Sequence, residues 1–255
     1  MTGQKANKIN IINNKLRYKI PNNLNQRLSN TILTKINRRG KYLILEYENN
    51  LFLLLHLGMT GYFRFSKIYN FKKHDHLYFK FDDFYIIFND IRKFGYFKLY
   101  EHKEFFNCKH LKNMGPEPLK KEFDFNYFLK SSKRDTNIKN LLMNQNFVAG
   151  LGNIYCSEIL FKASVSPQRN SKSLKKDEIL NIINSTKKIL KKSIKLGGTS
   201  IKNFIVSDLK IGYFKNQLNV YGRDNMICKR CKNLYHIKKI VQNGRSTFFC
   251  SNCQF

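Results

Sequence analysis

Up to residue 105, apolar positions come in short runs broken by polar turns. Tyr42-Leu43-Ile44-Leu45-Glu46-Tyr47 and Leu51-Phe52-Leu53-Leu54-Leu55-His56 flank Asn49-Asn50, which predicts a β-hairpin. Both runs are nearly continuous in hydrophobicity, so both faces of these strands are expected to be buried, as in a two-layer sandwich. Lys8 to Asn13, Gly61 to Phe65, His76 to Phe81, Tyr85 to Asn89 and Tyr96 to Tyr100 read as further strands, and Leu24 to Ser29 as a short turn or helix. Such a succession predicts a β-sandwich.

Gly115-Pro116-Glu117-Pro118 interrupts the pattern and is read as a domain junction. Beyond it the apolar spacing becomes helical. Asn126 to Ser131, Asn137 to Met143, Tyr155 to Ala163, Lys175 to Leu196 and Ser200 to Ile205 are predicted helices. In Lys175 to Leu196 the residues Ile179, Ile182, Ile183, Ile189, Leu190 and Ile194 fall on one face, and Gly197-Gly198 stops the helix. The fold class is therefore α+β.

The C-terminal stretch carries Cys228-Lys229-Arg230-Cys231 and Cys250-Ser251-Asn252-Cys253, two C-x2-C pairs eighteen residues apart. Two residues between cysteines let both thiolates of a pair face one ion, and two such pairs close a tetrahedral shell for a structural zinc. Four free thiols or two disulfides are the rival readings. Tyr235-His236-Ile237 and Ser246-Thr247-Phe248-Phe249 look strand-like, with Asn243-Gly244 as their turn. A ribbon this small depends on the metal for its folding energy. Cys108 and Cys156 are isolated and read as reduced thiols.

The charge balance changes the picture. The chain has 47 Lys+Arg against 17 Asp+Glu over 255 residues, a formal charge of +30. Such a chain is steered toward a polyanion, although AT-rich codon usage also enriches Lys, Asn and Ile. No apolar run is long enough to span a membrane, and Met1 to Asn10 lacks a signal-peptide core.

Several short stretches hold candidate chemistry, each with a plainer reading beside it. Gly150-Leu151-Gly152-Asn153 suits a phosphate at a helix N-terminus, but its spacing alone favours an ordinary helix–helix turn. Gly197-Gly198-Thr199 is a phosphate-binding turn or a C-cap. Lys73-His74-Asp75-His76 is a metal site or, preferably, polar strand residues with His74 and His76 on one face and Asp75 on the other. Asp90-Ile91-Arg92-Lys93-Phe94-Gly95 and His56-Leu57-Gly58-Met59-Thr60-Gly61 offer wedges for a base stack, or merely loop and core. Lys41 is expected to begin a buried strand, as a proton donor, a phosphate contact or a solvated lysine.

In order along the chain these pieces, with Arg38-Arg39-Gly40-Lys41-Tyr42, Gly115-Pro116-Glu117-Pro118-Leu119, Val220-Tyr221-Gly222-Arg223 and Arg245-Ser246-Thr247-Phe248-Phe249-Cys250, resemble the formamidopyrimidine-DNA glycosylase family. The resemblance implies a β-sandwich over residues 1–114, a helix–two-turns–helix domain over 115–222 and a zinc finger over 223–255. It implies a base-excision enzyme that flips oxidised purines such as 8-oxoguanine out of duplex DNA, removes them and nicks the abasic site. Met59, Arg92 and Phe94 match the groups inserted into the stack. Asn153 and Arg245 match phosphate clamps, and His74, Arg92 and Arg134 match further DNA-contacting positions. Lys41 matches a lysine that assists proton transfer, and Arg245 a residue of the elimination step. One structural Zn2+, bound by Cys228, Cys231, Cys250 and Cys253, a damaged double-stranded DNA partner, a monomer, and a bacterial cytoplasmic, nucleoid-associated location with no membrane follow as expectations. The sister endonuclease VIII-type glycosylases, which prefer oxidised pyrimidines, and a non-catalytic DNA-, RNA- or ribosome-associated zinc ribbon are the alternatives.

The sequence departs from the family pattern in three places. Ile91 stands where proline is usual and Lys93 where a second arginine is usual. The family's nucleophile, the amine of an N-terminal proline followed by glutamate, has no counterpart, because Met1-Thr2-Gly3-Gln4 match a point past the family's first helix. The expectation is that the chain as written is truncated, and that it binds lesions and abasic sites with little or no base excision.

Overall fold

Leu51–His56 is the strand around which the N-terminal part is built. Leu51, Leu53 and Leu55 face one apolar cluster, and Phe52 and Leu54 face another. A computed structural model describes residues 1–199, 213–231 and 235–255. The chain divides into two compact units, one formed by Met1–Lys112 and the other by Asn113–Thr199 with residues 213–255.

In the first unit, β1 (Lys8–Ile11), β6 (Asp75–Lys80), β7 (Tyr85–Asn89) and β5 (Tyr62–Ser66) pair in that order. The second sheet runs β2 (Leu33–Arg39), β3 (Tyr42–Tyr47), β4 (Leu51–His56), β8 (Tyr96–Glu101). Ile9, Leu77, Phe79 and Phe88 of one sheet and Leu45, Leu53 and Phe97 of the other share one core, closed by Leu24 and Leu28 of α1 (Leu24–Leu28). The outer face of β4 is covered by Phe105 of α2 (His102–Phe105) and by Cys108, with Phe52 and Phe105 stacked 4.3 Å apart. This is the two-sided burial that the hydrophobic runs predict.

Strand β2 has no counterpart in the predicted set. Its sequence, Leu-Thr-Lys-Ile-Asn-Arg-Arg, sits at a sheet edge with few buried positions, so it carries the cations of an edge strand instead of an apolar alternation. Two local corrections follow from turns. Gly40 takes φ +56° and forms the β2–β3 turn with Lys41, so Lys41 is an exposed turn residue and does not begin the strand. His74 takes φ +75° just before β6, and a register shift lies between Asp75 and Leu77. Asp75 and His76 are consequently both buried, at 2% and 1% exposure, and the predicted alternation of His74 and His76 against Asp75 fails.

The second unit contains α3 (Phe125–Ser131), α4 (Ile138–Met143), α5 (Asn153–Ala163) and α6 (Lys176–Lys195) around one core. Asp124 and Asn137 cap α3 and α4 by accepting the N–H groups of Tyr127 and Asn140. Gly197 and Gly198, at φ +73° and +89°, return their N–H groups to Ile194 O and Ser193 O, so this glycine pair is a helix C-cap. The predicted helix Ser200 to Ile205 lies outside the described residues. The C-terminal hairpin is β9 (Lys238–Gln242) with β10 (Arg245–Phe249). Its first strand begins at Lys238, immediately after the predicted Tyr235 to Ile237, and runs up to the Asn243-Gly244 turn, whose residues take φ +47° and +68°. Among the described residues, no helix is long and apolar enough to cross a membrane.

Leu53 is fully buried on the sandwich side of β4. Leu53→Ala is expected to lower unfolding stability by about 3 kcal/mol in urea denaturation, as a cavity that the two sheets cannot close.

Candidate functional site

The four cysteines converge. Their Sγ atoms all lie within 4.8 Å of one another, with Cys231–Cys253 at 3.1 Å, Cys231–Cys250 at 3.5 Å and Cys228–Cys253 at 3.9 Å. A disulfide needs about 2.05 Å, so no pair is bonded. Thiolates about 2.3 Å from a shared tetrahedral ion lie about 3.8 Å apart, and the spacings bracket that value. The donor set and its closure fit a structural zinc. Among the described residues this is the only group of three or more candidate ligands, and His74, Asp75 and His76 do not form one. Asp75 instead pairs with Arg64 and accepts from Asn89 Nδ2, and His76 Nε2 meets Asp90 O at 2.8 Å. Asn252 Nδ2 donates to Cys231 Sγ and, with the neighbouring thiols, brings the Cys231 thiol down to about 7.

The finger is tied to the helices through β10. Asn153, the first residue of α5, donates from Nδ2 to Ser246 O at 2.9 Å, beside Arg245. Its Oδ1 is buried and without a partner among the described residues. Lys139 of α4, 1% exposed, donates from Nζ to Ser246 O and to Thr247 Oγ1, and burial pulls its amine down to about 8. Gln145 holds the turn ahead of α5, accepting from Gly150 N–H and donating to Leu151 O. Gly150 takes φ +83°, a conformation that glycine adopts without strain. The N-terminus of an eleven-residue helix therefore opens next to an exposed arginine, an arrangement suited to phosphate oxygens. Glu158, 1% exposed, accepts the N–H groups of Asn219, Val220 and Tyr221 and so anchors the chain entering the finger. Arg134 is exposed in the α3–α4 loop, where its carbonyl accepts from Ser171 Oγ.

In the first unit, Met59 and Phe94 are exposed at 58% and 42% on two adjoining loops. Arg92 lies over the Phe94 ring, 5.2 Å from its centre. The structure thus brings Met59, Arg92 and Phe94 to one place. His56 Nδ1 accepts from Gly58 N–H at 2.9 Å, and burial together with Lys41, Arg17 and His110 pulls the His56 imidazole down to about 4, so it remains a neutral acceptor. Lys41 is exposed at the β2–β3 turn, and His74 is half-buried with its carbonyl accepting from Asp90 N–H.

Residues 1–97 match the formamidopyrimidine-DNA glycosylase N-terminal domain, residues 114–205 its H2TH domain, and residues 227–254 the zinc finger found in FPG and IleRS. A formamidopyrimidine-DNA glycosylase from Rickettsia bellii is 41% identical over 258 residues, covering 100% of this chain and 93% of the relative. The chain belongs to the formamidopyrimidine-DNA glycosylase family. Solved members superpose closely. The Lactococcus lactis Fpg in complex with an abasic site containing DNA gives a TM-score of 0.90 at 36% identity, covering 100% of this chain and 93% of that one. MutM in complex with carbocyclic 8-oxo-G containing DNA gives 0.90 at 37% identity with the same coverage. The zinc-finger match and the clustered thiolates together assign one structural zinc to Cys228, Cys231, Cys250 and Cys253.

Lys139, Glu158, Thr60 and Asp90 carry interactions that the sequence did not single out. The bonds Thr60–Asp90, Glu158–Val220 and Lys139–Thr247 join residues 30, 62 and 108 positions apart, so no local spacing signals them. Metal analysis of the purified chain should give one zinc per molecule, and Cys250→Ser should retain far less than one while circular dichroism of the β-sandwich persists.

Proposed function

We propose that this chain acts on oxidised purines in double-stranded DNA, as the base-excision glycosylase and abasic-site lyase its family membership describes, working as a monomer on nucleoid DNA. The observation that carries the reading is the 2.9 Å bond from Asn153 to Ser246 O, which sets the N-terminus of α5 beside Arg245 on the finger. Two donors of different origin then face one stretch of backbone. Asn153 and Arg245 grip the phosphates flanking an extruded nucleotide, and charge-assisted bonds of this kind are short and strong. Arg134 and His74 supply further phosphate contacts.

Base flipping leaves a gap that costs a few kcal/mol of lost stacking and pairing. Met59, Arg92 and Phe94 fill it. Met59 and Phe94 replace stacking surface with apolar surface, and Arg92 offers hydrogen bonds to the widowed partner base. Their exposure before DNA arrives means that insertion buries apolar area that water otherwise covers. Lys41, cationic at an exposed turn, moves a proton at the damaged base, and Arg245 assists the later elimination. Lesion binding precedes the chemistry and is the property that tests this reading first.

The test is competitive binding to duplexes that differ only at one position: intact, 8-oxoguanine opposite cytosine, an oxidised pyrimidine, and tetrahydrofuran. Tighter binding to the 8-oxoguanine and tetrahydrofuran duplexes than to the intact duplex supports the proposal. Preference for the oxidised pyrimidine, or equal affinity for undamaged RNA, contradicts it. Asn153→Ala and Arg245→Ala should each weaken damaged-duplex binding about tenfold or more, and Arg245→Ala should reduce the slope of log affinity against log salt by about one.

A further inference from the structure

The loops bearing Met59 and Arg92–Phe94 belong to different β-connections, yet both end on one buried carboxylate. Asp90 is 0% exposed. Its Oδ1 accepts from the Thr60 hydroxyl and, at 3.3 Å, from Arg92 N–H; its Oδ2 accepts from Gly95 N–H at 2.7 Å. Thr60 Oγ1 also accepts from Arg92 N–H at 3.1 Å, so the hydroxyl stands between the two loops as both donor and acceptor. The Asp90 carbonyl is engaged as well, by His76 Nε2 at 2.8 Å.

Backbone packing repeats the connection. A Cβ on Gly58 would lie 2.6 Å from Gly95 N and 2.6 Å from the Phe94 carbonyl carbon, and Gly58 takes φ +68°. A Cβ on Gly95 would meet Phe88 Cζ at 2.7 Å and Asp90 Oδ2 at 3.1 Å. The Met59 loop is itself closed by Gly61 N–H donating to Leu57 O at 2.9 Å. Neither loop can shift without breaking a bond to the carboxylate or opening the glycine contact.

A buried carboxylate satisfied by neutral donors is an unusual choice for mere packing, since a hydrophobic filler would avoid desolvating a charge. What it supplies is directional bonding to main-chain groups on either side of the insertion tips. We infer that Asp90 and Thr60 are positioning residues that lock the two loops into one body, so that Met59 and the Arg92–Phe94 pair enter the base stack together at a fixed spacing. This rests on the assignment of Met59, Arg92 and Phe94 as inserted groups.

Thr60→Val keeps the shape and removes the hydroxyl bridge, which makes it a milder variant than Asp90→Asn in a fully buried site. The probe is a duplex with tetrahydrofuran opposite 2-aminopurine, whose fluorescence rises when the base is unstacked by insertion. Thr60→Val should bind intact duplex within about twofold of the parent, lose about tenfold of the preference for the tetrahydrofuran duplex and give a weaker fluorescence rise. Thr60→Ser should restore both. In the parent, Met59→Ala and Phe94→Ala should be non-additive in that preference, and in the Thr60→Val background they should become additive. Thr60→Val with the parent's preference, fluorescence and non-additivity would overturn the inference alone. A parent without preference for the damaged duplex would overturn the functional reading and this inference with it.

Discussion

Four thiolates confined within 4.8 Å cannot remain there without a cation, and the second unit depends on that constraint. The hairpin that follows is only two five-residue strands, one of them nearly all exposed on its outer face. Its apolar cluster is small, built from Phe248, Ile237, Val220 and the cysteines together with Phe161 of α5. Zinc fixes the ends of this hairpin, and Lys139 and Asn153 take hold of its backbone at Ser246. The exposed Arg245 is thereby fixed relative to the N-terminus of α5. In the proposed phosphate grip, a flexible arginine would contribute only a diffuse charge, whereas an arginine on a metal-closed hairpin would contribute a directed bond.

The first unit solves a different problem. It exposes Met59 and Phe94 to water and holds the loops that carry them in place. The sandwich core does this at a distance, through Phe88 and Phe97 beneath the loops, and polar bonds do it nearby. Asp90, Thr60, His76 and His56 each accept or donate a bond that fixes the loop backbone while leaving Met59 and Phe94 exposed. For the proposed insertion of Met59 and Phe94, preorganisation of this kind would remove the ordering cost from the moment of binding, so more of the buried apolar area would remain as affinity.

Features written in local spacing were legible in the sequence. The zinc ligands are two fixed-interval pairs, β3 and β4 are apolar runs around an Asn-Asn bend, and α6 has a 3.6-residue period closed by Gly197-Gly198. Features that depend on distant partners were not. Strand β2 is a strand because it pairs with β3, although its own residues are mostly charged or polar. The bulge at Asp75 turns its side chain and that of His76 inward together, which a two-residue alternation cannot represent. Asp90 was read as part of a loop motif, and nothing in that motif shows that its carboxylate reaches Thr60 thirty residues earlier. The assignment of Met59, Arg92 and Phe94 as inserted groups comes from the family resemblance and stands as a proposal; the groups that hold their loops needed coordinates.

In the proposed function, a zinc-closed hairpin and a helix N-terminus together form the phosphate grip on damaged DNA. The most direct measurement is a chelator titration in which zinc release and affinity for a tetrahydrofuran-containing duplex are followed in the same samples. Affinity should fall in step with zinc loss and return when zinc is restored, while the β-sandwich signal stays constant. Undiminished damaged-duplex affinity after complete zinc removal would contradict it.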